Sequence, residues 1–356
     1  MTSLRILDTG LRTARENLAL TAALADGHRA GTTPDTLRFQ DFQPSAIVGR
    51  HQSLAREVSL DRCRELKVQT ARRMTGGGAI YMGPGLLGWE LIADKSSLPA
   101  GLDAITHTLC TGLATGLSTL GIDARFRPRN DIEVDGKKIS GTGGYSDGRT
   151  LVFQGTVLID FDVNDMAEVL ALPSLKRDRH GIAALADRVT SLRRLLGTTP
   201  PRAAVLAAVT GGLVDALGST PVLGALTPQE QAAADHLHAA EFGTDAFVTG
   251  ADLATSGATL VSQRSIPAGI LEVHIALRNT VNPIIERIWI VGDIFASPPR
   301  AIPDLEAALA GSALATAPAA AQRFLSEHSV EILGGSPADV IALIQVAAQS
   351  APGIVT

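Results

Sequence analysis

Ten residues, Arg72-Arg73-Met74-Thr75-Gly76-Gly77-Gly78-Ala79-Ile80-Tyr81, set two forked cations beside three bare glycines. Each glycine costs conformational entropy on folding, so three in a row suit a place where backbone must pass close to a ligand. Arginine beside exposed backbone N–H groups makes a cradle for a phosphate-bearing molecule. A glycine-rich surface turn flanked by solvated arginines is the other reading of the same residues. Three more pieces carry polar groups in or beside strand-like sequence: Arg129-Asn130-Asp131, Lys137-Lys138-Ile139-Ser140-Gly141 and Gln154-Gly155-Thr156. A strand lysine near an Arg–Gly loop can stabilise negative charge developing on a carbonyl or phosphoryl oxygen. Asn130 and Asp131 offer donors and acceptors to a base or ribose edge, or else form a turn. If Ile139 faces a core, strand alternation puts Lys138 and Ser140 together on the opposite, cleft-lining face, with Lys137 on the Ile139 side. Two solvated hairpin lysines are the alternative.

The elements that must position these groups follow from periodicity and turn chemistry. Leu11, Ala14, Leu18 and Ala22 predict a helix over 11–27. Strands are expected at 37–39, 46–48, 68–72, 79–81 and 86–92, with a short helix at 59–67 behind Ser59. Residues 100–120 form an amphipathic helix whose apolar face carries Leu102, Ile105, Leu109, Leu113 and Leu117. Asp135-Gly136 and Asp147-Gly148 are hairpin turns, so a sheet is built over 123–160. Helices are expected at 200–217 and 228–240. In the second of these, His236 and His238 are two residues apart and point to different sides, which argues against a metal site. Residues 243–258 are rich in Gly, Thr and Asp and read as a linker. Strands at 269–276 and 284–291, then helices at 303–311, 318–328 and 337–349, make a tail of strand-then-helix order. The fold class is therefore α+β, with a first domain at 1–245 and a small α+β domain at 257–356.

Composition narrows the function classes. The chain has 356 residues, 45% of them hydrophobic but only 4% aromatic, so aliphatic residues must fill the core. A net charge of −5 argues against a general nucleic-acid binder. The two cysteines, Cys63 and Cys110, are too few for a disulfide framework and suit a reduced, cytoplasmic protein. No apolar run reads as a membrane span, and Met1 to Gly10 lacks the form of a signal peptide.

Together these residues resemble the lipoate-protein ligase A family, of the biotin/lipoyl protein ligase type, in its long form. Arg72–Tyr81 looks like that family's lipoyl-binding loop. Residues 130–141, Asn-Asp-Ile-Glu-Val-Asp-Gly-Lys-Lys-Ile-Ser-Gly, look like its second motif with the essential lysine. Gly155-Thr156-Val157-Leu158 resembles the third, Arg188-Val189-Thr190-Ser191-Leu192 the Arg-Val-Thr-Asn-Leu segment, and Gly49-Arg50-His51-Gln52 the early Gly-Arg-x-Gln. The five occur in the family's order over residues 10–245, and the tail resembles the accessory domain of the longer ligases.

The resemblance implies an enzyme of two half-reactions. Lipoate and ATP give lipoyl-AMP and pyrophosphate, and a lysine of an acceptor lipoyl domain or H-protein-like carrier then takes the lipoyl group. By matching position, Arg73, Gly78, Ala79, Ile80 and Tyr81 contact the nucleotide, and Lys138 contacts the lipoyl carbonyl and the phosphate. Gly76, Gly77, Asn130, Asp131, Gly155 and Thr156 complete the expected ligand-binding set. Mg²⁺ is expected with the pyrophosphate leaving group, at ligands the sequence does not identify. A monomer is expected. The chain departs from the family after Tyr81 (Met82-Gly83-Pro84-Gly85), before Gly155 (Phe153-Gln154) and after Gly141 (Thr142-Gly143-Gly144). One rival is an ATP-independent octanoyl or lipoyl transferase, which needs a cysteine nucleophile; Cys63 falls in the helix before the glycine loop, Cys110 reads as a small core residue on the stripe side of the 100–120 helix, and both are expected away from the lysine motif and the strand after it. A biotin ligase would need a Gly-Arg-Gly-Arg signature that is missing, and a non-catalytic scaffold would have no use for Lys138.

Overall fold

A computed structural model describes residues 3–128, 130–171, 187–250, 252, 260–279 and 282–350. Two compact units emerge. One comprises Met1–Val48, Ala55–Arg73 and Ala79–Val248, and the other Gly49–Leu54, Met74–Gly78 and Thr249–Thr356. Two short segments of the first half of the chain, both from expected ligand-binding motifs, thus belong with the C-terminal unit.

The first unit is built on an eight-stranded mixed sheet, in the order Thr220–Leu223, Ser3–Arg12, Thr36–Phe42, Leu86–Asp94, Thr150–Leu158, Lys137–Asp147, Asp131–Val134 and Arg125–Arg127. The first three strands are mutually parallel and the remaining pairs antiparallel. Local sequence explains the antiparallel half. Val134 pairs with Lys137 across Asp135-Gly136, whose φ angles of 50° and 75° give a two-residue turn of the hand that strand twist requires. Gly148, at φ 57°, turns the next hairpin. A smaller sheet joins Gln69–Arg72, Ser45–Val48 and Ile80–Met82.

Alternation assigns the two faces of the large sheet. Trp89, Gly155 and Thr142 are successive cross-strand partners on one face; Glu90, Gln154 and Gly143 are partners on the other. The helix Ala14–Arg29 covers the second face: its Thr21 hydroxyl donates to the Glu90 carboxylate at 2.7 Å. There Glu90 and Arg38, both fully buried, stand 2.7 Å apart. Burial raises the Glu90 pKa and lowers that of Arg38. The helix Leu102–Ser118 covers the first face, with Cys110 against Thr142.

The helix expected from residue 11 starts at Ala14 instead, behind a capping box of Thr13 and Glu16. Leu11 ends the preceding strand and is exposed. Its match to the helical stripe was a coincidence of spacing. Ser59 stands at the expected N-cap but makes no side-chain capping bond. The linker reading of 243–258 fails at its start, where Asp245–Thr249 is a helical turn; residue 251 and residues 253–259 lie outside the described residues.

The second unit pairs Leu260–Ile266, Gly269–Asn279 and Ile284–Gly292 into an antiparallel sheet. The helices Ala301–Leu309, Ala317–Glu327 and Pro337–Gln349 close a core of Val273, Ile275, Ile290, Leu305 and Ile344. Among the described residues no helix is long and apolar enough to cross a membrane.

Glu306 is partly buried in this unit, where its carboxylate accepts the Ile290 N–H at 2.7 Å. Burial pushes its pKa up to about 7, against the opposing pull of Arg287 and Arg50. A carboxyl with a raised folded pKa stabilises fully below its unfolded value and loses that contribution as pH rises to the folded one. The wild type should therefore lose up to ~3 kcal/mol between about pH 4.5 and 7, and Glu306→Gln should not. Urea midpoints at pH 5 and pH 8 test this, and parallel pH profiles for the two proteins would refute it.

Candidate active site

Lys138 owes its position to a break in strand alternation. Ile132 pairs with Ser140 but Glu133 pairs with Lys138, so Ile139 is an extra residue in the strand. The expected sharing of a face by Lys138 and Ser140 does not occur. Ser140 and Ile139 are both fully buried. The Lys138 side chain lies instead over Gly141, where a Cβ would come within 2.6 Å of its Nζ. The bulge thus moves the amine to the face of Gly141, Gly143, Gln154 and Thr156.

The Lys138 backbone is bonded to the 188–190 segment. Its N–H donates to the Arg188 carbonyl at 2.8 Å, and its carbonyl accepts the Thr190 N–H at 2.9 Å. That segment takes the place of the Thr150–Leu158 strand, whose pairing with Lys137–Asp147 ends at Gly155 and Thr142. The Lys138 Nζ is 2.7 Å from Asp131 Oδ1, and Asp131 Oδ2 accepts from Arg127 at 2.6 Å. Asp131 therefore holds the amine and is itself held. Lys137 pairs instead with Asp187, at 3.8 Å.

Asn130 closes the next pair. Its carbonyl accepts the Thr142 N–H at 2.8 Å and hydroxyl at 2.9 Å, and its side-chain amide donates to the Thr142 carbonyl. This fixes Asp131 beside Lys138. Arg129 lies outside the described residues. Behind Thr142 stands Cys110, with Sγ 3.2 Å from the Thr142 hydroxyl. The expectation that both cysteines lie away from the strand of the lysine motif is wrong for Cys110. The helical stripe placed it in the core, as expected, but that core packs on this strand. Burial pushes its thiol up to about 11, and burial raises Cys63 as well.

Thr156 shares the Gln154 face, whereas Gly155 points the other way, against Trp89. A Cβ on Gly155 would lie 2.7 Å from the indole, so this glycine makes room for Trp89.

The two loop arginines have separate roles in the first unit. Arg72 is buried and donates to the Val248 carbonyl at 2.7 Å and the Phe247 carbonyl at 3.2 Å. Those contacts tie down the Asp245–Thr249 turn and correct the view of both arginines as ligand cations. Arg73 donates from its side chain to the Ile47 carbonyl at 3.3 Å and from its backbone to Val48 at 3.0 Å. Ala79 precedes the return strand Ile80–Met82, Ile80 pairs with Ile47, and Tyr81 is buried near Phe161 with its hydroxyl pKa raised by burial.

In the second unit the three glycines have three different reasons. A Cβ on Gly76 would lie 1.6 Å from the Ile294 carbonyl oxygen. Gly77 has φ 81° and donates to that same carbonyl at 3.2 Å. At Gly78 a Cβ would meet Asp293 at an ordinary 3.6 Å, so among the described residues nothing crowds it. Gly49 packs so closely that its Cβ would be 2.0 Å from the Gly77 oxygen, and the Arg50 N–H donates to Thr75 at 2.9 Å. Gln52 accepts the Gly49 N–H at 2.9 Å and donates to Asp293 at 2.7 Å. Sequence reasoning missed Asp293, which has no motif around it. The bare floor at Gly141 and Gly143 was legible as alternate glycines but was read only as a departure from a pattern. Among the described residues no group of three or more His, Cys, Asp or Glu side chains could hold a metal ion.

Residues 13–214 match the lipoyl protein ligase A/B catalytic domain. The octanoyltransferase LipM of Symbiobacterium thermophilum is 30% identical over 267 residues, 68% of this chain and 97% of that protein. A probable lipoate-protein ligase A of Mycoplasma pneumoniae is 28% identical over 180 residues, 51% of this chain and 52% of that protein. Among solved structures, the bi-partite lipoate protein ligase of Thermoplasma acidophilum, studied with its E2 lipoyl domain, is similar with TM-score 0.64 and 25% identity. That likeness covers 72% of this chain and 99% of the other.

Proposed function

Because the chain belongs to the lipoyl protein ligase A/B catalytic-domain family, we propose that it is an ATP-dependent lipoate-protein ligase. The observation that carries this reading is the state of its two cysteines. A transferase that moves an acyl group through a thioester needs a thiolate. Cys63 and Cys110 are both buried with raised thiol pKa values, Cys110 to about 11. At neutral pH fewer than about one Cys110 thiol in a thousand is ionised.

In the first half-reaction the lipoate carboxylate attacks the α-phosphorus of ATP; the bond to the β-phosphate oxygen breaks and pyrophosphate leaves. In the second, the ε-amine of an acceptor lysine attacks the carbonyl of the mixed anhydride. An amide forms, the amine gives up a proton, and AMP leaves. Both steps place charge on oxygens that one fixed ammonium can reach, and Lys138 is the residue held for that role. Thr156 and the bare Gly141–Gly143 floor share its face. Arg73, the glycine loop and Ala79–Tyr81 take the nucleotide. Mg²⁺ would supply charge neutralisation for a departing pyrophosphate, and among the described residues no group of three or more His, Cys, Asp or Glu side chains would hold it. The acceptor is a lipoyl domain, the class of partner studied with the Thermoplasma acidophilum ligase.

The likeness to an octanoyltransferase favours a second reading, in which Cys110, one hydrogen bond from Thr142, carries the acyl group. Changing Cys63 and Cys110 together to Ala separates the two. Acceptor lipoylation, followed by intact mass with ATP and lipoate, should persist within about three-fold and should stop when ATP is omitted. Transfer that continues without ATP, or vanishes in a folded double variant, points to the thioester route.

A further inference from the structure

We propose that Asp293 is a positioning residue for the nucleotide-binding step: through Gln52 it sets the conformation of the glycine loop. The inference rests on the ligase reading above, in which that loop takes ATP. Three pieces of chain distant in sequence meet here, at 49–52, 75–78 and 292–294. The Gln52 side chain is buried and bridges two of them, accepting from the Gly49 N–H at 2.9 Å and donating to Asp293 Oδ1 at 2.7 Å. Gly49 in turn abuts the Gly77 carbonyl, and Arg50 is bonded to Thr75. The Gly292 N–H donates to the His51 carbonyl at 3.1 Å, and Ile294 accepts from Gly77 at 3.2 Å.

Most of these contacts are backbone to backbone and would persist in many side-chain variants. The Gln52–Asp293 bond is a side-chain link among them, from a buried amide donor to a carboxylate acceptor. Asp293 also lies beside the loop directly, with Oδ2 3.6 Å from the Cβ position of Gly78. Removing the carboxylate takes away the acceptor that orients the Gln52 amide from the Asp293 side. The acceptor that fixes Gly49 is then lost, and with it the wall against which Gly77 rests. In the reading above the glycine loop takes the nucleotide, so the effect should appear in ATP binding more than in lipoate binding.

The test is steady-state pyrophosphate release by the full chain with ATP and lipoate varied separately. Asp293→Ala should raise the KM for ATP about ten-fold and leave the KM for lipoate within about two-fold. Asp293→Asn keeps an oxygen acceptor for Gln52 and should restore most of the loss. Gln52→Met breaks the same link from the other side and should match Asp293→Ala, and the double variant should be no worse than either single one. An unchanged KM for ATP, parallel rises for both substrates, or an Asn variant as poor as the Ala variant would overturn the inference. A wild type that releases no pyrophosphate refutes the ligase reading instead. In that event amide hydrogen exchange of residues 74–78 decides the structural claim: faster exchange in Asp293→Ala supports it, and unchanged exchange overturns it.

Discussion

Lys138→Ala lowers the turnover of acceptor lipoylation by about 10²–10³-fold, the cost of losing one preorganised donor to a developing oxyanion. The structure gives reasons for so large an effect from one amine. The Lys138 backbone is bonded on both sides to 188–190, the bulge at Ile139 directs its side chain over Gly141, and Asp131 holds Nζ at 2.7 Å. Such a group needs little rearrangement when charge appears near it. Lys137→Ala is the control. Its partner Asp187 is 3.8 Å away with a side chain 81% exposed, the kind of surface pair worth about 0–1 kcal/mol. Turnover of both variants on one acceptor, with circular dichroism to confirm folding, decides the matter. Equal losses for the two lysines, or none for Lys138→Ala, would remove Lys138 from its assigned role.

Gly76→Ala abolishes pyrophosphate release to at least about 10²-fold below wild type, because displacing a binding element by roughly 1 Å is enough for such a loss. The added Cβ would stand 1.6 Å from the Ile294 carbonyl oxygen, backbone against backbone, and no rotamer relieves it. The loop must leave its seat. Gly78→Ala, one turn of the same loop away, meets only the Asp293 side chain at 3.6 Å and keeps its seat. Amide exchange of residues 74–78 reports the seat directly and should rise in the Gly76 variant alone. A Gly76→Ala protein with wild-type exchange and activity would show that the glycine run is not fixed by its packing on Ile294.

Much of this architecture was legible in the sequence because local chemistry wrote it. Asp135-Gly136 announced the hairpin that carries Lys138, and the Leu stripe of 102–117 announced the helix beneath Thr142. What was not legible depends on register and on distant pairing. Nothing in Lys-Lys-Ile-Ser-Gly signals that Ile139 is an extra residue, because a bulge is defined by the partner strand. The position of Cys110 was read correctly as core, yet which strand that core would meet is a tertiary fact. The edge strand Thr220–Leu223 escaped notice because short edges carry little alternation. Asp293 escaped because the motif it serves lies far up the chain.

That distance has a consequence for how the protein is made. The glycine run ends at residue 78 and the carbonyl that seats it belongs to residue 294, so 216 further residues (294 minus 78) must be synthesised before its seat exists. At about 5–20 residues per second the nascent chain carries this loop unseated for roughly 10–40 s. The eight-stranded sheet is complete by Leu223 and can form on the ribosome well before then. Synthesis through Ile294, and not closure of the largest sheet, is therefore the event after which the glycine loop can first take its seat.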